Sequence, residues 1–340
     1  MSGKTLVDSV YLKDSFSKSN SIYLDVRSPR EFIKGHVTKS INIPLFSNEE
    51  FSDIGSIYKS KGKQEAIDKG LLYASRSMSN IMEAIEEYKN QNIFVYCARG
   101  GMRSDAFVWL LDSIGYKASK ILGGYKSIRR QVLSSFNLKN EIVIVGGGTG
   151  TGKTIILSRL AMMGCNVIDL EEFANHRGSS FGSLGRGIQP TQQQFENDMY
   201  FKVIKDLNGK KIFIESESRK IGRLIIPPDL WDSMGRAVYV KILMDIDRRI
   251  GNLIKEYGSF SGQELEERVI NIKKKLGGEN VKKALNYISK SRKRDFCRLL
   301  LLCYYDKTYA HSSGDRKNKV VNINASTKSY NKIAKEVKGC

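Results

Sequence analysis

The sequence predicts an α/β chain of two domains, and three observations carry that reading. Its 340 residues, 41% of them hydrophobic, exceed what one core of ordinary size needs and suffice for two. Two short apolar runs, residues 93–95 and 142–145, each read as a buried strand that ends in a glycine-rich turn and passes into helical periodicity. Further strand-like and helical runs alternate around them, which is the pattern of parallel sheets. The join falls near residues 136–140, giving a first domain over 1–136 and a second over 137–340 whose C-terminal part is helical and basic.

Taken in order, the first domain opens with a strand at residues 22–26, a turn holding Pro29, a short helix and a second short strand near Ile41. The strand at 93–95 then delivers Cys97 to the point where strand becomes helix, followed by Gly100 and Gly101. A thiol there faces backbone N–H groups and the first turn of a helix, with Arg99 and Arg103 adding full charges, a setting that favours the thiolate. The bland alternative is a small cysteine buried at a strand end. A strand at 118–121, the turn Leu122-Gly123-Gly124-Tyr125-Lys126 and a basic helix over 127–133 close the domain.

Asp25-Val26-Arg27-Ser28-Pro29-x-Glu31-Phe32, Gly35-His36, Ile41-Asn42-Ile43-Pro44 and the later cysteine loop together resemble the rhodanese domain over roughly the first 130 residues. Within that resemblance Asp25 and Arg27 are expected to tie loops together, and His36 to bond backbone rather than to catalyse. One departure stands out: the loop reads Cys97-x5-Arg103, one residue longer than many rhodanese loops. That is the spacing of cysteine phosphatases, although Tyr96 stands where their signature has histidine. A longer loop makes a wider anion cradle, able to hold a phosphate-sized group.

The second domain opens with Gly147-x4-Gly152-Lys153-Thr154 after a strand and before a helix over 155–163, which fits the phosphate-loop (P-loop) pattern. Backbone amides around Gly147, Gly150 and Gly152 cradle a diphosphate, Lys153 neutralises its charge, and Thr154 can hold a magnesium ion. The next strand leads to Asp169, Glu171 and Glu172, either substrate-contacting acids or a solvated helix start. Ala174-Asn175-His176-Arg177-Gly178-Ser179-Ser180-Phe181-Gly182 reads as too polar and glycine-rich for a core. Thr191 is a candidate N-cap for a helix. A strand over 211–215 ends at Glu215, which could reach magnesium through water, and Glu217, Ser218 and Arg219 follow. Further strands are expected at 237–243 and 320–323, with a helix from Asp247 to Tyr257 and an apolar helix from Phe296 to Tyr305. Cys165, Cys297 and Cys303 read as core.

These runs in colinear order resemble the tRNA 2-selenouridine synthase family, in which a rhodanese-like domain precedes a P-loop domain. The carrying pieces are the Cys97 loop, Gly123-Gly124-Tyr125-Lys126, the phosphate loop, the run from Ala174 to Gly182, Gln189-Pro190-x-Gln192-x-x-Phe195-Glu196, and Glu217-Ser218-Arg219-x-Ile221-Gly222. Ser216 departs from the acid expected at its place. The resemblance implies a transferase that converts wobble 2-thiouridine to 2-selenouridine with selenophosphate, through an S-geranyl intermediate made from geranyl diphosphate. Cys97, Arg99 and Arg103 would then be catalytic, with Cys97 carrying selenium as a Cys–Se–H adduct. The phosphate loop would hold the prenyl diphosphate, or a nucleotide instead, and Asp169, His176, Arg177, Glu215, Glu217 and Arg219 are candidate substrate or metal contacts. The competing reading is a persulfide-carrier or phosphatase-like rhodanese coupled to a P-loop kinase or nucleotide switch.

Composition sets the outer bounds. Lys plus Arg number 56 against 36 Asp plus Glu, a net charge of +20, which favours a polyanionic partner, either nucleic acid or an anionic membrane surface. The basic run Lys273–Lys275, Lys282, Lys283 and Lys290 to Arg294 is either a solvated helix face or a contact for the RNA backbone. No run is apolar enough to span a bilayer and no leader core is visible, so a cytoplasmic enzyme without a membrane partner is expected. Five cysteines without metal spacing and three histidines argue against zinc and against a disulfide framework, and no tightly bound cofactor is expected beyond magnesium at the phosphate loop.

Overall fold

The computed structural model describes residues 7–177, 181, 185–207, 209, 211–258, 260–308 and 319–340. By internal contact the chain divides into one unit of Met1–Ser135 with Glu196–Phe201, and another of Phe136–Phe195 with Lys202–Cys340.

The first unit is built on a five-stranded parallel sheet of Ser9–Val10 (β1), Ser21–Asp25 (β2), Ile41–Asn42 (β3), Asn92–Tyr96 (β4) and Lys117–Ile121 (β5), in the order β1-β5-β4-β2-β3. β4 is paired on both edges, which is why it is continuously apolar, and Val95 and Tyr96 are fully buried. The helix Met102–Ser113 follows it and lays Phe107, Val108 and Leu111, one face at helical spacing, onto the core around Leu24, Ile93 and Val95. Pro29 opens the helix Pro29–Lys34, and Ser28 and Glu31 form a reciprocal capping box at its start. Between β3 and β4 lie two helices, Asn48–Ser60 and Lys63–Ile85.

Residues 196–201 complete this unit. Asn197 is fully buried; its amide donates to the His36 carbonyl (2.7 Å) and the Tyr125 hydroxyl (2.9 Å), and its oxygen accepts from Arg129 (2.6 Å). Glu196 pairs with the same Arg129, and Thr38 donates to Asp198. His36 sits stacked on Phe32 with its Nδ1 against the Phe32 carbonyl, and Asp25 holds Arg27 in a buried ion pair of 2.6 Å while Arg27 also donates to Gly35 O. All three therefore brace loops, as the resemblance implied.

The second unit has a five-stranded parallel sheet of Ile142–Gly147 (β6), Asn166–Ile168 (β7), Ile212–Glu215 (β8), Val238–Leu243 (β11) and Val320–Asn324 (β12), ordered β12-β11-β6-β8-β7, and a small antiparallel hairpin of Lys220–Ile221 (β9) and Leu224–Ile225 (β10). The helix Lys153–Met162 packs Ile156, Leu157 and Leu160 on the sheet core of Val143, Val145 and Phe213. Gln189 and Gln192 clasp the hairpin: the Gln192 amide both donates to and accepts from the Ile225 backbone, in place of a third strand. Thr191 caps its helix by accepting from Gln194 N (3.1 Å).

After β11 the chain forms helices Ile246–Tyr257, Gly262–Asn271, Lys273–Leu276, Gly278–Ser289 and Lys293–Leu300, the last passing into a π-helical turn over Leu301–Tyr305. The expected apolar helix thus starts three residues earlier than Phe296. Cys297 is buried in its core and Cys303 packs at the edge, while Cys165 packs against the sheet. Phe181 corrects the reading of the polar run 174–182: its ring is fully buried in the helical core beside Phe296 and Tyr305. Polar flanks hid a single anchoring side chain; Gly178, Ser179, Ser180 and Gly182 lie outside the described residues. Among the described residues no helix is long and apolar enough to cross a membrane.

Candidate functional site

Both candidate centres arise where a central parallel strand ends and a helix begins, the edge at which open α/β sheets bind ligands. In the first unit β4 hands the chain to Cys97, whose side chain is buried beneath the loop. The Ser104 hydroxyl stands 3.3 Å from Cys97 Sγ. Burial pushes the thiol pKa up, but the Ser104 hydroxyl, the backbone N–H groups of Arg99 and Ser104, and the charge of Arg103 outweigh it and leave the group below its ordinary value. The hydroxyl proton can go either to Gly101 O, 2.9 Å away, or to the sulfur, and a thiolate draws it to sulfur.

The arginines contribute differently from the sequence expectation. Arg103 is held by Glu31 (3.0 Å) and lies over the Phe51 ring, so its charge is fixed but shared. Arg99 is exposed, and it acts on Cys97 through its backbone N–H. The loop is braced from behind by the first turn of the helix Gly124–Ser134: Tyr125 N donates to Cys97 O (2.8 Å) and Lys126 N to Ala98 O (3.0 Å). This explains the Gly-Gly-Tyr-Lys run. Gly124 has φ +56°, and a Cβ on it would fall on the Cys97 carbonyl oxygen and the Gly100 nitrogen. The Tyr125 ring stacks on the Arg27 guanidinium at 3.7 Å and so ties the loop to the buried Asp25–Arg27 pair.

In the second unit the phosphate loop runs from the end of β6 to the helix at Lys153, with left-handed backbone at Gly150 and Gly152 and positive φ at Gly147. Thr151 closes the turn onto Gly148 O (2.8 Å), and Thr154 is exposed in the helix's first turn. Because β8 and then β7 lie beside β6, their C-terminal ends carry Glu215 and Asp169 to the same edge. Glu171, Glu215 and Glu217 each bring a carboxylate oxygen within 4.8 Å of the other two. Burial, then Glu171 and Asp169, push Glu215 well above the carboxylate range; burial foremost, with Glu217 and Asp169, lifts Glu171 to about 8 against the pull of Lys153. Burial alone would depress Lys153, but Glu215, Glu171 and Glu217 hold it above its ordinary value.

Asp169 opens a helix but is not solvated there. It caps the helix Leu170–Ala174 by accepting from Glu172 N (2.9 Å), and it is also buried beside Glu215, where burial raises its pKa. Glu215 is fully buried, and among the described residues no donor reaches either of its oxygens. An uncompensated carboxylate of that kind is costly, and it calls for a proton or a cation. Oxygen ligands alone, from three glutamates, suit a hard divalent ion such as magnesium. The residues present therefore fit the ion that the phosphate-loop pattern implies.

Of the other candidates, Arg177 pairs with Glu256 (3.1 Å) on the helix Ile246–Tyr257, and Glu256 in turn senses Lys153, so both border the phosphate loop. His176 is near Arg268, and burial with that charge holds its pKa down. Arg219 is exposed ahead of β9, and no hydrogen bond or ion pair joins its side chain to the acid cluster. Residues that sequence reasoning missed sit opposite. Arg249 donates to Thr149 O (2.9 Å) and is itself gripped by both oxygens of Asp306, while Asn252 donates to Gly150 O (2.7 Å) and the Tyr330 hydroxyl. Their spacing of three on one helix face was the available signal.

Comparison with known proteins agrees with this layout. The model of the tRNA 2-selenouridine synthase AAA domain matches residues 140–338, and that of the rhodanese-like domain matches residues 9–131. Relatives called tRNA 2-selenouridine synthase include one from Pseudomonas putida (strain W619), 34% identical and covering 87% of this chain and 90% of the relative. Another, from Pseudomonas syringae pv. tomato, is 33% identical over 88% of this chain and 90% of its own length; one from Shewanella denitrificans is 31% identical over the same shares. With a rhodanese-like cysteine loop, a P-loop with its acid cluster and matches of this reach, the chain belongs to the tRNA 2-selenouridine synthase family.

Proposed function

We propose that this protein is a tRNA-modifying transferase that converts wobble 2-thiouridine to 2-selenouridine with selenophosphate, through an S-geranyl-2-thiouridine made from geranyl diphosphate. The observation that carries the reading is the pairing, in one chain of this family, of a sub-ordinary-pKa cysteine in an amide-lined loop with a phosphate cradle flanked by carboxylates.

The chemistry divides between the two centres. A thiocarbonyl sulfur leaves poorly, and alkylation makes it a better leaving group. The uridine sulfur attacks the first carbon of geranyl diphosphate, the carbon–oxygen bond breaks, and diphosphate departs with the electron pair while the base gives up its N3 proton. The loop amides and Lys153 hold that diphosphate and meet the charge it develops. Glu171, Glu215 and Glu217 would hold magnesium, which supplies charge neutralisation for the leaving group when bound. At the other centre the loop amides, Arg103 and Ser104 receive the anionic head of selenophosphate; the Cys97 thiolate attacks its phosphorus and the P–Se bond breaks to release hydroselenide, which adds at C2 of the activated base and expels geranyl thiolate, and water then cleaves the S–P bond to return the thiol and phosphate. The base lies in a single-stranded loop, so it can be turned into a pocket without opening a duplex.

The test is incubation of the full chain with thiouridine tRNA, geranyl diphosphate and selenophosphate, omitting one component at a time and reading the nucleosides by mass spectrometry. The expected result is geranylthiouridine without selenophosphate, and no selenouridine without geranyl diphosphate. Unchanged nucleosides with all three present overturn the reading and favour a carrier or nucleotide switch.

A further inference from the structure

We propose that Lys273, Lys274, Lys275, Lys282, Lys283 and Lys290 form the surface that holds the tRNA backbone, and that the neighbouring arginines do not take part; this rests on the tRNA reading above. The helices from Gly262 to Leu300 turn Leu265, Val269, Leu276, Val281, Ala284 and Phe296 into a common core. Their outer faces are left to the lysines, all six of which are exposed. On Gly278–Ser289, Val281 and Ala284 are buried and Lys282 and Lys283 point away; Lys290 follows seven residues after Lys283, two turns along the same stripe.

The decisive contrast is in partners. The sequence reads as three successive basic groups of one kind, but the structure separates the arginines from the lysines. Arg292 pairs with Asp295 and both Arg294 and Arg298 pair with Asp247, each at 2.8 Å, while Lys293 donates to Gly258 O. Among the described residues no side chain of the six lysines makes a hydrogen bond, an ion pair or an aromatic contact. They fall within the stretch 273–290, which contains one acid, Glu279. Helix C-termini favour cations, which accounts for part of the triplet 273–275, but Lys282 and Lys283 sit within a helix where no such benefit applies. Like charges so placed repel one another, and an extended polyanion relieves that. A phosphate backbone fits better than a lipid surface, because the apolar face of Gly278–Ser289 is already spent on the protein core.

The experiment measures binding of the full chain to an unmodified tRNA transcript across a salt series. Two triple variants, Lys273→Gln/Lys274→Gln/Lys275→Gln and Lys282→Gln/Lys283→Gln/Lys290→Gln, are compared with Arg294→Gln/Arg298→Gln. Each lysine triple is expected to weaken binding at least about tenfold near 0.1 M salt and to flatten the log–log salt slope by about two to three. The arginine pair is expected to keep the wild-type slope and lower the melting temperature. Circular dichroism and the alkylation rate of Cys97 confirm that the lysine variants are folded. Wild-type binding with unchanged slopes in both lysine triples overturns the surface and leaves the tRNA reading standing. No tRNA binding by the wild type, or capture by anionic phosphatidylserine vesicles in its place, overturns both.

Discussion

The loops after β4 and after β6 solve the same geometric problem with different materials. Each turns backbone amides inward between a parallel strand and a helix, and each needs a second element behind it to keep that shape. Behind the Cys97 loop the brace is backbone: Tyr125 N and Lys126 N bond its carbonyls directly. Behind the phosphate loop the brace is side chain, Arg249 and Asn252 on Thr149 O and Gly150 O. Their electrostatics differ as well. Around Cys97 a hydroxyl, two amides and one shared arginine are enough to favour an anion. Around Lys153 several carboxylates crowd one ammonium, a balance that suits a diphosphate only together with a cation. The lesson is that a cradle for a soft anion can be complete in itself, whereas one for a highly charged leaving group is assembled with its counter-ion.

The sharpest break between the two is chemical. Cys97→Ala should abolish selenium incorporation and leave geranylation near wild type. Lys153→Ala should cut geranylation by about a hundredfold or more, as loss of a charge-stabilising donor does, and leave Cys97 alkylation unchanged. Nucleoside mass spectrometry and iodoacetamide kinetics read the two arms, and loss of geranylation in Cys97→Ala, or slowed Cys97 alkylation in Lys153→Ala, would mean that the centres do not divide the reaction.

Next in size is the difference in bracing. Gly124→Ala forces a Cβ onto backbone at a left-handed φ and should cost about 2–4 kcal/mol by urea unfolding. Gly148→Ala meets side-chain ends, Arg249 at 3.1 Å and Asp306 at 3.7 Å, and no backbone, and should cost under about 1 kcal/mol. Similar costs at both sites would erase the contrast. Glu215→Gln removes the orphaned buried charge, so the variant without metal should be as stable as wild type or more so. Magnesium at a hundredfold excess over its Kd should add about 2.7 kcal/mol to the wild type and far less to the variant, read as thermal shifts. The smallest effect concerns pH. The Cys97 thiol lies below its ordinary value, so its alkylation should persist to lower pH than that of a free thiol. Ser104→Ala, lacking the hydroxyl at 3.3 Å, should move that profile up. An unmoved profile would assign the effect to the amides and the Arg103 charge.

Much of this was legible because strand, turn and helix signals around both loops are local. Cys97, the Gly-Gly turn and Gly147 to Thr154 stand next to the residues that shape them, and the strands that deliver Glu215 and Asp169 are short apolar runs. What escaped depends on packing between distant segments. The two helices Asn48–Ser60 and Lys63–Ile85 carry no chemistry-bearing motif that would single them out. Phe181 looked like loop because one aromatic among glycines and serines has no periodicity. Arg249 and Asn252 face the phosphate loop across about a hundred residues of sequence, a distance no local pattern spans. Glu171 reads in the sequence either as a substrate-contacting acid or as part of a solvated helix start, and only the adjacency of β7 and β8 brings it to Glu215.

The fully buried Asn197 has a consequence for how the protein is made. It joins the unit whose other residues end at Ser135, so some sixty further residues must leave the ribosome before its bonds to that unit can form. A fragment cut at the apparent domain border would deprive Arg129, the Tyr125 hydroxyl and the His36 carbonyl of these bonds, and the thiol loop would lose the support that reaches it through Tyr125. During synthesis these bonds therefore form only after the phosphate-binding strand has already emerged.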